Sequence, residues 1–175
     1  SSEKLLSKIL PPKIVTYPVT TIMASFSKNW WYLFHDDRVF IGKIPLLHHV
    51  NILNDMGVTD IISLTESYEE VVSKKDWEEI GINVHSFPVQ DCTAPPLNVL
   101  EKGVNIMKDT LKKEDTAIYV HCRYGRGRSA TLVACFLANI HNCKNIEEVD
   151  KILKEERIEH RISSEQWNAI SIYIK

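Results

Sequence analysis

Residues 121–129, His121-Cys122-Arg123-Tyr124-Gly125-Arg126-Gly127-Arg128-Ser129, bring a thiol, three guanidinium groups, a hydroxyl and two glycines into one short stretch. Each type has a use in breaking a phosphate ester. Glycines at 125 and 127 let the backbone bend so that successive N–H groups from Arg123 to Arg128, those of Tyr124 and Arg126 among them, turn inward as an anion-binding nest. A cysteine at the start of such a nest sits in a positive field that favours the thiolate, the nucleophilic form of the side chain. Arg128 closes the stretch and can fold back over a bound phosphate, donating two parallel hydrogen bonds that tighten as charge develops. A lysine has no such fork. Ser129 can donate its hydroxyl to the sulfur and help it leave when a thiophosphate is hydrolysed, and His121 is placed to support the cysteine from behind. This chemistry asks for no metal and no other cofactor, because the nest and Arg128 supply the positive charge. The bland alternative, a buried inert thiol beside a glycine turn, leaves the three arginines without a purpose.

Cleaving an alkyl phosphate near neutral pH also needs a proton for the leaving oxygen, so a carboxylic acid must lie on a neighbouring loop. Asp91 is the candidate. It follows the apolar run ending Phe87-Pro88-Val89 and opens a segment, Asp91-Cys92-Thr93-Ala94-Pro95-Pro96, that its prolines and threonine mark as a loop. Asp109 and Asp115 compete less well, since they flank the end of a helix.

A loop of this kind needs a strand to deliver it and a helix to receive it. Thr116 to Val120 reads as a buried strand and Ser129 to Leu137 as a buried helix start, so Cys122 to Arg128 is the turn between them, where open α/β sheets place their ligands. Short β-rich runs alternate with helical ones along the chain from Trp31 onward. Strands are expected at Trp31-Phe34, Arg38-Gly42, Asp60-Leu64, Val84-Pro88 and Ala117-His121. Helices are expected over Leu46 to Met56, Leu97 to Leu111, Ser129 to Asn142, Ile146 to Glu156 with Asn145 as cap, and Ser164 to Ile174. Ser163 and Gln166 have capping-box spacing for the last of these, and Gly57 and Gly81 sit where helices end. The fold class expected is α/β, a central and mostly parallel sheet of about five strands flanked by helices. Residues 1–29 read as an N-terminal extension packing on or leading into a single domain over 30–175.

Composition sets outer limits. At 175 residues and 44% hydrophobic content the chain can bury a core without disulfides or metals. A formal charge of −2 disfavours a nucleic-acid binder working by broad phosphate neutralisation, so attraction to an anion must be local. The four cysteines show no C-x-x-C pair, which argues against a zinc site and points to a reducing compartment. The apolar stretch from Ile14 to Phe34 is too interrupted to span a membrane. Within it, Trp30-Trp31-Tyr32-Leu33-Phe34 is expected to be at least half core, with peripheral contact to a bilayer as the alternative for the rest.

The pattern His-Cys, five residues, Arg, Ser resembles the active-site loop of the cysteine-dependent protein tyrosine phosphatase superfamily. In its dual-specificity branch the acid lies about thirty residues before the nucleophile, and Asp91 stands 31 before Cys122. Further segments are similar to the mitochondrial phosphatase group, whose best understood member converts phosphatidylglycerophosphate to phosphatidylglycerol on the way to cardiolipin. These are Tyr17-Pro18, Trp31-Tyr32, Arg38 to Gly42 with Pro45-Leu46, Thr65-Glu66-Ser67-Tyr68-Glu69, Val89 to Thr93, and Ser129-Ala130-Thr131. The resemblance implies a dual-specificity phosphatase-like fold, a phosphorylated lipid or phosphoprotein substrate, and a mitochondrial, inner-membrane-associated location, with a cytoplasmic one as the alternative. Glu66 and Tyr68 are then candidates for substrate contact or support. Two positions depart from the group's pattern, Ser67 for a second glutamate and bulky Tyr124 for a small residue. Arg123 and Arg126 either serve a second phosphate on the ligand or face solvent and pair with Glu66 and Glu69. A dual-specificity protein phosphatase, a phosphoinositide phosphatase and an inactive phosphate-binding module are the competing functions.

Overall fold

A computed structural model describes residues 30–175. The extension expected over 1–29, with its Tyr17-Pro18, lies outside the described residues. In chain order the elements are β1 (Trp31–Phe34), β2 (Val39–Gly42), α1 (His49–Asp55), β3 (Val58–Ser63), a 3-10 turn (Ser67–Glu69), α2 (Lys74–Glu79), β4 (Asn83–Ser86), α3 (Leu97–Leu111), β5 (Ala117–His121), α4 (Arg128–Ile140), α5 (Ile146–Glu155) and α6 (Ser164–Ile174).

The five strands form one sheet in the order β1-β2-β5-β3-β4. Edge strand β1 runs antiparallel to β2, and every other pairing is parallel. Strand β5 is buried at all five positions because it is central and covered on both faces, which is why it reads as an unbroken apolar run. Its side chains alternate between two cores. Ile118 and Val120 join Ile41, Ile62 and the inner faces of α3 to α6, with Leu100, Met107, Leu132, Leu153 and Ile170 among them. Ala117 and Tyr119 join Phe40, Ile61 and the residues that α1 and α2 bury, Val50, Leu53 and Trp77. In the aromatic run over Trp30–Phe34, Trp31 and Phe34 are buried, Trp30 and Tyr32 are partly buried against the two cores, and Leu33 is 39% exposed, so at least half of the run is core as expected.

Differences from the expected boundaries have local causes. Arg38 stands before β2 rather than in it, and its guanidinium donates to the carbonyls of Leu111, Lys113 and Thr116 and to the Thr116 hydroxyl, pinning β2 to the start of β5. Helix α1 begins at His49, because Leu46 is engaged in a turn: its N–H donates to His49 Nδ1 and its carbonyl accepts from His49 N. Burial among Trp30, Trp31 and His48 pushes the His49 imidazole down to about 4, the form able to accept that bond. Helix α2 is not among the helices whose bounds are expected, although Gly81, two positions past its end, stands where a helix is expected to stop. It is six residues long, only Trp77 is buried, and a capping box between Ser73 and Asp76 starts it. The cap at Asn145, whose side chain accepts from Glu148 N, and the capping box between Ser163 and Gln166 form as expected.

Candidate active site

Strand β5 delivers its last residue, His121, to the carboxyl edge of the sheet, where the His121 carbonyl accepts from Leu64 N at 3.0 Å. The chain then turns through residues 122–127 and enters α4 at Arg128. Gly125 takes φ +73°, and a Cβ there would stand 2.5 Å from the carbonyl carbon of Gly42. Both the left-handed backbone and the contact exclude a side chain. The loop is thus seated directly on the end of β2. Gly127 differs from expectation: its φ is −118°, and its smallness serves space, a Cβ standing 3.2 Å from Gln166 Nε2. Two main-chain bonds brace the loop from outside, Ile44 N to Arg123 O at 3.2 Å and Arg161 N to Arg126 O at 2.7 Å. Among the described residues, none of the main-chain N–H groups of 123–128 donates to a main-chain carbonyl. They remain available to an anion at the positive end of α4.

Cys122 lies at the floor, 3% exposed, its Sγ 3.2 Å from Ser129 Oγ. That is the pairing the sequence predicts for a thiol and its hydroxyl donor. His121 is buried behind it and donates Nδ1–H to the Cys122 carbonyl at 3.2 Å. Burial lowers the His121 imidazole pKa, so the ring is neutral near pH 7.

The Arg128 guanidinium is 2% exposed and almost fully engaged. Nη1 donates to Glu69 Oε2 at 2.9 Å and to the Val89 carbonyl at 2.8 Å, and Nη2 donates to Glu69 Oε1 at 2.9 Å. Nη2 also lies 3.3 Å from Asp91 Oδ1. The bidentate hydrogen bonds from Arg128 hold the Glu69 carboxyl below its ordinary range despite the opposing effect of burial. Asp91 itself is partly exposed, and its Oδ1 accepts from Cys92 N at 2.9 Å, an arrangement that aims the carboxylate into the site.

Cys122, Arg128 and Asp91 line one cleft of about 510 Å³, together with Tyr124, Arg126 and Gly127 from the loop. Lys43, Cys92, Arg161, Ser163 and Gln166 complete its wall and were not anticipated as site residues. Gln166 is 3% exposed; its Nε2 donates to Thr93 O at 3.1 Å while its Oε1 accepts from Ser163 N, tying α6 to the loop that carries Asp91. The one sequence signal for it was the capping box, which explains only half of those bonds.

Several expected site residues make contacts other than those expected, or lie off the cleft. Arg126 pairs with Glu159 at 3.2 Å and not with Glu66 or Glu69, because Arg128 has taken Glu69. Arg123 is exposed, with its guanidinium carbon 5.6 Å from the centre of the Tyr124 ring, and is not among the residues that line the cleft. Glu66 and Tyr68 are likewise absent from the lining. Glu66 N donates to Glu69 Oε2 at 2.8 Å, which shapes the turn that presents Glu69, and Tyr68 is 75% exposed.

A thiol-bearing nest set between a parallel strand and a helix, with its arginine held by a carboxylate, is the architecture of the dual-specificity phosphatases. The chain belongs to that family: the profile of PTP-SAK, the Swiss Army Knife protein DSP-PTPase phosphatase domain, matches residues 38–166. Within it, the chain is similar to the phosphatidylglycerophosphatase and protein-tyrosine phosphatase 1 of Mus musculus, 34% identical over 131 residues, or 71% of this chain and 66% of the relative. It is 30% identical over 150 residues to the phosphatidylglycerophosphate phosphatase PTPMT1 of Arabidopsis thaliana, covering 83% of this chain and 42% of that one. The chain therefore spans just under two thirds of the mouse relative's length and less than half of the plant relative's. A crystal structure of PTPMT1 in complex with PI(5)P superposes with a TM-score of 0.74 at 27% identity, covering 83% of this chain and 94% of the other.

Proposed function

We propose that this chain is a cysteine-dependent phosphatase that converts phosphatidylglycerophosphate to phosphatidylglycerol, as in cardiolipin synthesis, through a cysteinyl-phosphate intermediate. The observation that carries the chemistry is the convergence of Cys122 Sγ, the Arg128 fork and the Asp91 carboxyl on one cleft. The names of the relatives support the lipid substrate.

In this reading the nest and Arg128 bind the phosphate monoester, and the Cys122 thiolate attacks phosphorus in line with the departing oxygen. The phosphate competes with Asp91 for Arg128 Nη2, which frees the acid to protonate the leaving alcohol. Ser129 Oγ, 3.2 Å from Sγ, steadies the thiolate as it leaves in the second step, when Asp91 takes a proton from the attacking water. His121 and Glu69 are positioning residues for Cys122 and Arg128. The catalytic unit occupies residues 30–175, with 1–29 as an extension, and the enzyme works as a peripheral, inner-membrane-associated protein of the mitochondrion.

The name of the mouse relative also couples lipid and protein-tyrosine phosphatase, so phosphopeptides are the competing substrate. Rates on phosphatidylglycerophosphate, phosphoinositides and phosphopeptides under one set of conditions decide between them, and a preference for phosphopeptides refutes the lipid assignment. Cys122→Ser must abolish turnover of para-nitrophenyl phosphate; an activity that survives it, or one that requires added magnesium, refutes the mechanism. If the wild-type chain turns over none of these, it is a phosphate-binding module.

A further inference from the structure

We propose that Lys43 and Arg161 form a second anion subsite beside Cys122, which recognises a further phosphate-type group carried by the same substrate molecule. The inference rests on the phosphatase reading for the position of the first phosphate. Four cations line the cleft: Lys43, Arg126, Arg128 and Arg161. Two of them are already matched, Arg128 by Glu69 and Arg126 by Glu159. Among the described residues, neither Lys43 nor Arg161 forms an ion pair with a carboxylate; the Lys43 ammonium lies 5.1 Å from the centre of the Trp30 ring. Cations left without a counter-ion in a shared cleft raise its affinity for anions.

Both are also fixed relative to the nucleophile. Lys43 N donates to Trp30 O at 2.9 Å, its carbonyl accepts the Tyr119 hydroxyl, and the next residue, Ile44, donates to Arg123 O. Arg161 N donates to Arg126 O at 2.7 Å. The two side chains therefore rise from the segments that brace the loop at residues 123 and 126, and both line the cleft that holds Cys122. Their backbones are already ordered, so only side-chain freedom is lost when they close on a second anion. A cleft of about 510 Å³ lies in the range that takes a drug-sized ligand, far more than a single phosphate fills. The exposed Arg123, by contrast, stands outside the lining.

The test compares two soluble substrates that differ only in the second anion, propane-1,3-diol bisphosphate and propyl phosphate, by phosphate release. The wild-type chain is expected to favour the bisphosphate at least tenfold in kcat/KM, chiefly through KM. Lys43→Ala and Arg161→Ala should each cut that preference about threefold to tenfold, the scale of one hydrogen bond at a solvent-accessible site, and Lys43→Arg should keep most of it. Absence of a preference in the wild-type chain, or its survival in the double alanine variant, overturns the proposal. So does a result in which the variants lose binding to vesicles of anionic phospholipid but keep the soluble preference, since the two cations would then serve the membrane surface. Failure of the phosphatase reading shows separately, as no turnover of either compound or of para-nitrophenyl phosphate. In that case calorimetry with the two compounds decides the subsite by the same preference.

Discussion

Replacing Glu69 with glutamine keeps the shape of the side chain and removes one charge from an ion pair whose two members are each 2% exposed. Breaking such a pair by neutralising one partner typically destabilises by 3–5 kcal/mol. Here the Val89 carbonyl still accepts from Nη1 and Asp91 still faces Nη2, so the low end, about 3 kcal/mol, is the reasoned value. For a domain of this size that lowers Tm by roughly 6–12 °C. The Glu69 carboxyl is held below its unfolded value of about 4.3 by Arg128, so the stabilisation is complete above that pH and is lost as pH falls through the folded value. The gap in Tm between the wild-type and Glu69→Gln chains should therefore be constant from neutral pH down to about pH 5 and narrow below about 4.3. Catalytically, a guanidinium released from Glu69 turns toward Asp91, misaligning the fork and occupying the acid together, so kcat should drop by a factor of roughly 10–100. The assays are scanning calorimetry across pH and steady-state hydrolysis of para-nitrophenyl phosphate. A variant with wild-type Tm and wild-type kcat, or a gap in Tm that widens on acidification, would show that Glu69 does not hold Arg128 as described.

Asp91→Asn should fold normally and lose about 10²–10⁴ in kcat on alkyl phosphates, with a smaller loss on aryl phosphates whose leaving groups need no proton; equal losses on both would contradict its role as acid. Ser129→Ala removes the hydroxyl 3.2 Å from Cys122 Sγ and should slow hydrolysis of the intermediate more than its formation, so that stopped-flow traces show a burst of para-nitrophenol absent or smaller in the wild type. Gly125→Ala forces a Cβ to 2.5 Å from the Gly42 carbonyl carbon at a φ of +73°; turnover should vanish and Tm fall by several degrees, and an active variant would disprove the seating of the loop on β2.

The nucleophile loop and its frame were legible because each relied on local order. Ala117–His121 is apolar at nearly every position, and Cys122, Arg128 and Ser129 are held to the motif by covalent spacing, so strand, turn and helix followed directly. Asp91 was recovered by its place after a strand end. What supports these residues was not legible, since it is held together across long separations. Glu69 meets Arg128 from 59 positions away and Glu159 meets Arg126 from 33, whereas charge pattern alone offered Glu66 and Glu69 to Arg123 and Arg126. The Lys43 and Arg161 side chains reach the cleft only because β2 and the α5–α6 connection end beside the loop. Of helix α2 only the end was marked, by Gly81, because five of its six residues are polar and Trp77 has no periodic partner.

The contact between Gly42 and Gly125 has a consequence for how this sequence can change. Backbone meets backbone there, so neither position has a side chain that could shrink to make room for growth in the other. A Cβ on Gly42 would itself fall 2.4 Å from the Tyr119 hydroxyl and 2.6 Å from the Trp30 carbonyl. The two sites are locked independently, and a drift at one cannot be rescued at its partner. Gly42, eighty positions upstream of the nucleophile and outside the nucleophile motif, should behave in a mutational scan as though it were part of the catalytic loop.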